Sequence, residues 1–262
     1  IAFAKGLKYF IYLYLLKPLN VFLTQIPWWY TMTVFIIIGY VTVGLRFATI
    51  TAILLAFIGA TGMWMHSMIT LSSVLVSVLI CFVIGVPLGV LASYNKWYRD
   101  IQNVVLDAMQ TLPYFCYLIP VLMFFGGNIV SAVIATVIYS VPPIIRLTAL
   151  GLSQVSGGYS EVSKSFGGTG IQTLNKVKFP LAVPSLVMGF NQTVIMAFAM
   201  QIVTPLIGGK GLGLQVFNAL QRSDTGRGLS AGLAIVLLAI IIDRITHAWT
   251  KKQRQALGLN QS

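Results

Sequence analysis

MITLSSVLVSVLICFVIGVPLGVLAS, residues 68–93, is an apolar run that contains no charged side chain. A helix needs about 20 mostly apolar residues to cross the hydrocarbon core of a bilayer. Similar runs lie on both sides of this one, and we predict spans near residues 30–45, 47–65, 68–93, 104–125, 129–150, 183–207 and 229–249. The sequence therefore predicts an all-α integral membrane protein with about seven transmembrane helices.

The composition of the whole chain excludes most other classes of protein. Of its 262 residues, 57% are hydrophobic and 8% are charged, whereas soluble domains carry about 25% charged residues. Such a chain has too little polar surface to cover a soluble fold of this size. Its apolar runs are continuous, unlike the alternating strands of an outer-membrane barrel.

The charge distribution predicts the orientation in the membrane. The net charge of +12 comes from 17 Lys and Arg against 5 Asp and Glu, and Lys and Arg collect in cytoplasmic loops. If residues 1–28 lie outside, the inner segments hold Arg46, Lys96, Arg99, Arg146, Lys164, Lys176, Lys178, Arg244, Lys251, Lys252 and Arg254. The outer segments then hold only Lys5, Lys8, Lys17, Lys210, Arg222 and Arg227. This asymmetry predicts that the C-terminus and the loop 151–182 are cytoplasmic.

Four segments follow from this pattern. Residues 1–28 mix lysines with aromatic and apolar residues, which predicts an amphipathic helix in the membrane interface. Residues 29–65 hold two peripheral transmembrane helices, and residues 66–250 form the core transmembrane domain with its loop 151–182. Residues 251–262 form a basic cytoplasmic tail. Because the chain begins with Ile rather than Met, we expect further residues before it.

The loop 151–182 contains the most specific motif. Glu161-Val162-Ser163-Lys164-Ser165-Phe166-Gly167 is followed nine residues later by Val177-Lys178-Phe179-Pro180. We expect Glu161 near the start of a short helix, where its charge favours the helix dipole. Gly167 would end that helix, and Pro180 would begin the next spanning helix. The alternative is an ordinary amphipathic loop helix.

This motif resembles the cytoplasmic EAA motif of ABC importer permeases, whose pattern is Glu-Ala-Ala, three residues, Gly, nine residues and Ile-x-Leu-Pro. Glu161, Gly167 and Pro180 match at the family's spacing, while Val162 and Ser163 replace two alanines. Five further stretches resemble permeases of glycine betaine/proline-type osmoprotectant importers: residues 106–113, 117–120, 142–148, 191–193 and 209–213.

The resemblance implies a type I ABC importer permease fold and a transport role in a bacterial inner membrane. It implies a homodimer of this subunit, two cytoplasmic ATPases that bind ATP and Mg²⁺, and a soluble external substrate-binding protein. The coupling helix would contact the ATPase through residues 161–167, with Pro180 at the following helix. The cargo would be a small quaternary amine or zwitterion such as glycine betaine, choline, proline betaine or trimethylamine N-oxide, moved by alternating access.

Polar residues within apolar helices are candidates for the translocation pathway: Gln110, Thr111, Tyr114, Asn191 and Gln192. Such groups face a cavity or the bundle interior, and they alternatively make interhelical hydrogen bonds worth about 0.6–2 kcal/mol. Tyr114, Phe115 and Tyr117 offer ring faces to a quaternary ammonium, or they pack.

The stretch 208–228 is glycine-rich and lies on the predicted outer side. Its charged residues are candidates for docking the substrate-binding protein: Lys210, Arg222, Asp224 and Arg227. The alternative is a solvated re-entrant loop.

Motifs of catalysis are missing from the sequence. It contains no GxxxxGK[ST] phosphate-binding loop, no GxSxG or HExxH motif and no Cys/His cluster. We therefore expect no enzymatic activity, no metal and no cofactor on this chain. Three alternatives stay open: an ABC permease for another solute such as an amino acid, an ATP-independent channel or secondary transporter, and a membrane scaffold.

Overall fold

A computed structural model describes residues 2–256, which are helical apart from short connections. The helices are α1 (Ala2–Phe10), α2 (Lys17–Gln25), α3 (Trp28–Thr42), α4 (Leu45–Ala60), α5 (Trp64–Tyr94), α6 (Lys96–Thr111), α7 (Tyr114–Phe125), α8 (Ile129–Ser140), α9 (Pro142–Ser153), α10 (Gly157–Ser165), α11 (Gly170–Thr173), α12 (Phe179–Met200), α13 (Leu212–Arg222) and α14 (Thr225–Ala256). Two π-helical segments, Ile11–Leu16 and Leu174–Lys178, and a 3₁₀ turn, Thr204–Ile207, complete the described helices.

The all-α prediction is confirmed, and the residues that the structure describes hold four to six candidate spans by length and composition, against about seven predicted. Four helical stretches are long and apolar enough to cross a membrane: Trp64–Tyr94, Ile129–Ser153, Gly170–Met200 and Thr225–Ala248. Two bent helix pairs raise the number to six if each pair counts as one span. The predicted span 47–65 corresponds to α4, whose 16 residues are shorter than the roughly 20 that a bilayer needs. The predicted span 104–125 is divided between α6 and α7 at Pro113.

Two prolines lie inside continuous helical runs, and each comes shortly after a π-helical segment. Pro18 follows the π segment Ile11–Leu16, and Pro180 follows Leu174–Lys178. Proline lacks an N–H and its ring crowds the carbonyl of residue i−4, and a π turn opens the helix at that place. Pro180 is thus the second residue of α12, as the prediction of a helix entry requires, but the continuous helical run to which α12 belongs already starts at Gly170.

The described chain divides into two compact units. The first contains the residues up to Ile80, Leu112–Ser140 and Val194–Ile245. In it α3 packs on α4, where Gly39 lies against the Phe47 ring. The helices α7 and α8 form a hairpin around Gly126, whose φ of 72° suits a residue without Cβ. Its core cluster consists of Tyr117, Leu118, Val121, Ala135, Met200 and Ile207.

The second unit contains Cys81–Thr111, Val141–Thr193 and the residues from Thr246. Helix α9 is held there by close contacts with glycines. A Cβ at Gly89 of α5 would lie 2.7 Å from the Ile145 carbonyl oxygen and 2.6 Å from the Thr148 Cβ. On α12, a Cβ at Gly189 would lie 3.2 Å from the Ile144 Cα. Small residues of this kind let membrane helices approach closely, so α9 packs in close contact with both α5 and α12.

These two units are defined by contacts between residues. The division of the chain into the segments 1–28, 29–65, 66–250 and 251–262 stays a prediction. Residues 257–262 of the predicted tail lie outside the described part of the chain.

Candidate functional site

The short helix α10 carries the motif of the inner loop. It ends at Ser165 and is followed by Gly167, whose φ is 75°. The Gly168 N–H donates to the Ser163 carbonyl oxygen at 2.9 Å and the Phe166 N–H to that of Val162 at 3.2 Å. This is a Schellman-type helix end, which requires a left-handed residue at position 167. The structure thus has the helix end that the sequence predicted at Gly167.

Glu161 does not lie at the start of this helix. Helix α10 begins at Gly157, so Glu161 is its fifth residue and no acidic side chain occupies the first turn. The expected stabilisation by the N-terminal dipole therefore does not arise, because that effect fades beyond the first turn. Glu161 is exposed and its carbonyl oxygen accepts a hydrogen bond from Ser165 Oγ at 3.0 Å.

Apolar side chains of the loop face outward. Phe166 is 89% exposed and Ile171 is 74% exposed, and the neighbouring side chains of Tyr159 and Val162 are exposed as well. The Ser163 Oγ lies 2.8 Å from Thr173 Oγ1, which ties α10 to α11. The side chain of Lys164 lies outside the described part of the chain. These four apolar side chains form an exposed surface on α10, on α11 and on the turn between them.

The base of this loop is fixed by two local features. Thr169 and Gln172 form a capping box at the start of α11, which satisfies backbone donors reciprocally. The Lys178 Nζ lies 5.4 Å from the centroid of the Tyr94 ring, within cation–π range. The loop is therefore held against the end of α5, a contact that the sequence did not indicate.

The predicted pathway residues lie in different surroundings. Gln110 and Thr111 are exposed at the end of α6, and Gln192 is exposed on α12. Asn191 is buried, and its Oδ1 accepts a hydrogen bond from Thr246 Oγ1 at 2.5 Å. Of the two interpretations of Asn191, the structure favours interhelical hydrogen bonding.

Tyr114 is the first residue of α7, and Phe115 next to it is exposed. Tyr117 is buried in the core cluster of the first unit. Both Tyr114 and Tyr117 lie against Tyr139 of α8, with ring centroids 5.0 and 5.8 Å away. No local sequence pattern marks Tyr139, because it lies more than 20 residues along the chain from both tyrosines that it contacts.

An ion pair in the second unit was also missed. Arg146 Nη2 lies 2.7 Å from Asp107 Oδ1 and forms a salt bridge with it. The pair borders a cavity of about 500 Å³ that Arg99, Asn103 and Ser153 also line. At 39% and 65% exposure the two side chains are partly solvated, so the pair contributes about 1 kcal/mol or less.

The predicted docking stretch 208–228 is not a loop throughout, because α13 occupies Leu212–Arg222. Lys210, Arg222 and Asp224 are exposed. Asp224 caps α14, since its Oδ1 accepts a hydrogen bond from the Arg227 N–H at 3.0 Å. The acidic side chain therefore has a local structural role.

Arg227 belongs to a side-chain network that the sequence did not indicate. Its Nε donates to Gln215 Oε1 at 2.9 Å, and Gln215 Nε2 lies 3.3 Å from His66 Nδ1. Close by, the Leu212 N–H donates to Thr70 Oγ1 at 2.8 Å. These bonds fix α13 in the first unit and orient the Arg227 guanidinium.

No group of three or more potential metal-ligating side chains occurs among the described residues.

Comparison with known proteins supplies the family. Residues 85–255 match the family model described as "Binding-protein-dependent transport system inner membrane component". The chain is 40% identical over 241 residues to the glycine betaine/proline betaine transport system permease protein ProW of Escherichia coli, covering 92% of this chain and 68% of that protein.

A second relative is the glycine betaine/carnitine transport permease protein GbuB of Listeria monocytogenes. It is 45% identical over 191 residues, covering 73% of this chain and 68% of the relative. The chain thus spans about two thirds of the length of both relatives. Among solved structures, an inward-facing MetNI methionine ABC transporter matches with a TM-score of 0.64 and 23% identity, covering 70% of this chain and 92% of that one. This likeness concerns the fold.

Proposed function

Because this chain belongs to the family of binding-protein-dependent transport system inner membrane components, we propose that it is the permease subunit of an ATP-binding-cassette importer for a small quaternary-amine or zwitterionic osmolyte. The proposed cargo class comprises glycine betaine, proline betaine, choline and trimethylamine N-oxide. The observation that carries this proposal is the 40% and 45% identity to two glycine betaine permeases.

In this function the chain itself hydrolyses no ATP. Two separate ATPase subunits bind ATP and Mg²⁺ and contact the coupling residues Glu161, Val162, Ser163, Lys164, Ser165, Phe166, Gly167 and Pro180. The exposed Phe166 and Ile171 support this role, because exposed apolar surface marks sites of protein contact. Since α9 leads into this loop and is clamped by glycine contacts, displacement of the loop moves helices as rigid bodies.

Two copies of the permease form the proposed pathway in the bacterial inner membrane, with the C-terminus in the cytoplasm. Gln110, Thr111, Tyr114 and Gln192 are exposed and suit a lining role. Lys210, Arg222 and Arg227 suit the docking of an external binding protein, because exposed cations steer an acidic partner.

One purification tests this function. The tagged chain is isolated in mild detergent, its co-purifying proteins are identified, and ATP hydrolysis is measured with the substrate-binding protein loaded with glycine betaine. We expect an ATPase subunit and stimulated hydrolysis. A competition panel of glycine betaine, choline, carnitine, proline and trimethylamine N-oxide then defines the cargo. A chain that purifies alone and moves solute in liposomes without ATP would contradict the proposal, and stimulation only by an amino acid would contradict the cargo.

A further inference from the structure

Three tyrosine side chains of the first unit, Tyr114, Tyr117 and Tyr139, form a tyrosine cluster. The planes of Tyr114 and Tyr139 are inclined by 55°, and those of Tyr117 and Tyr139 by 70°. The ring of Tyr139 therefore contacts both other rings of the cluster. Tyr117 is buried while Tyr114 is 43% exposed. In this cluster the Tyr114 ring is accessible, and it packs on Tyr139, which in turn packs on the buried Tyr117.

The cluster lies at two helix breaks. Tyr114 begins α7 directly after Pro113, and Tyr139 is the last residue but one of α8, shortly before Pro142 begins α9. In membrane transporters, substrate sites are typically built at discontinuous helices near the bilayer midplane. The position of the tyrosine cluster meets the first part of this pattern.

The rings of Tyr114 and Tyr139 lie at the same level of the α7–α8 hairpin. Helix α7 has 12 residues, which at 1.5 Å per residue places Tyr114 about 18 Å from the turn at Gly126. Helix α8 also has 12 residues and returns from the same turn, so Tyr139 lies at a similar distance from that turn.

None of the chain's five acidic residues belongs to α7 or α8, so no carboxylate of these two helices attracts a cation there. The faces of tyrosine rings do attract cations, by about 0.5–2 kcal/mol. An attraction of this size recognises a quaternary ammonium and still releases it, as conduction requires.

We propose that the tyrosine cluster is a subsite of the translocation pathway that binds the quaternary ammonium group of the cargo over the Tyr114 ring. Tyr139, which also contacts Tyr117, positions that ring through the ring contacts. This inference rests on the proposed function.

The test uses the complete transporter in proteoliposomes, with its ATPase and binding protein, and measures uptake of radiolabelled glycine betaine. Tyr114→Leu should lower uptake about tenfold, whereas Tyr114→Phe should stay within about twofold of the parent chain. A series of Tyr114→Phe variants with one, two and three ring fluorines should lower uptake stepwise, because fluorine weakens the attraction of the ring for cations and barely changes its size. Phe124→Leu, an exposed aromatic position on the same helix, is the matched control and should leave uptake unchanged.

The outcomes separate this inference from the proposed function. Uptake that falls with each fluorine supports the subsite. Uptake that is equal across the fluorinated series, in a transporter that still imports glycine betaine, overturns the subsite and leaves the proposed function standing. A parent transporter that couples ATP to the import of another solute, and imports no quaternary amine, overturns both.

Discussion

At the scale of single residues, Gly167 is the position where the backbone itself demands a particular amino acid. Its φ of 75° lies in the left-handed region, and a Cβ there would meet no other atom within 4 Å. Any cost of substitution therefore comes from backbone strain and not from crowding. A left-handed conformation costs an ordinary residue about 1–2 kcal/mol, and a β-branched residue is a genuine outlier there.

Gly167→Val should consequently abolish most uptake while the protein still reaches the membrane, because the end of α10 is reoriented. Gly170→Val is the matched control, since Gly170 also has open space and carries no positive φ. Uptake assays beside quantification of the protein in membranes make the measurement. Normal uptake by Gly167→Val would remove the coupling role of this helix end.

Asn191 illustrates how a polar residue in an apolar helix acquires a structural role. Its bond from Thr246 is worth about 0.6–2 kcal/mol by the usual range for membrane helices. Asn191→Ala and Thr246→Val should each lower thermal stability in detergent, and the double variant should lower it by less than the sum. Gln192→Ala, at the exposed neighbouring position, should leave stability unchanged. Strictly additive losses would show that the two side chains are not coupled.

At the scale of elements, the glycine contacts of α9 determine how firmly the helix before the loop 151–182 is held. Gly85 and Gly89 of α5 are four residues apart and face the same side of the helix, and both lie against α9. The loop 151–182 therefore follows a helix, α9, whose close contacts with α5 oppose its movement along the α5 axis.

Gly89→Ala should destabilise the protein by about 1–3 kcal/mol, because the new Cβ would overlap the Ile145 carbonyl oxygen and overpacking has costs of this order. The control is Gly59→Ala on α4, where nothing lies within 4 Å. Thermal unfolding in detergent compares them. Equal midpoints for the two variants would mean that α5 and α9 are not in close contact.

At the scale of the whole molecule, the asymmetry of Lys and Arg predicts the orientation of the chain in the membrane. Single cysteines placed in a chain in which Cys81 and Cys116 are replaced test this orientation. In intact spheroplasts, Arg222→Cys should react with a membrane-impermeant maleimide, whereas Lys176→Cys should react only after lysis. Both positions are exposed, and Lys176 lies outside the residues proposed to contact the ATPase. The reverse pattern of labelling would invert the topology.

Uninterrupted apolar runs determine by themselves that this chain is helical and spans a membrane, because a backbone in hydrocarbon must satisfy its own hydrogen bonds. The sequence likewise determined the helix end at Gly167, since it depends on local backbone conformation. It predicts about seven spans where the described residues hold four to six candidates, because apolar length does not reveal whether a run stays straight: a bend at Pro113 divides one predicted span, and α4 has only 16 residues.

Only the tertiary structure decided which distant side chains meet. The pair of Asp107 and Arg146, the network of His66, Gln215 and Arg227, and the tyrosine cluster each join residues of different helices. Such contacts depend on how helices pack and rotate, which no local propensity specifies. The π turns before Pro18 and Pro180 were equally invisible, because a proline in a sequence marks a missing N–H but not how the helix accommodates it.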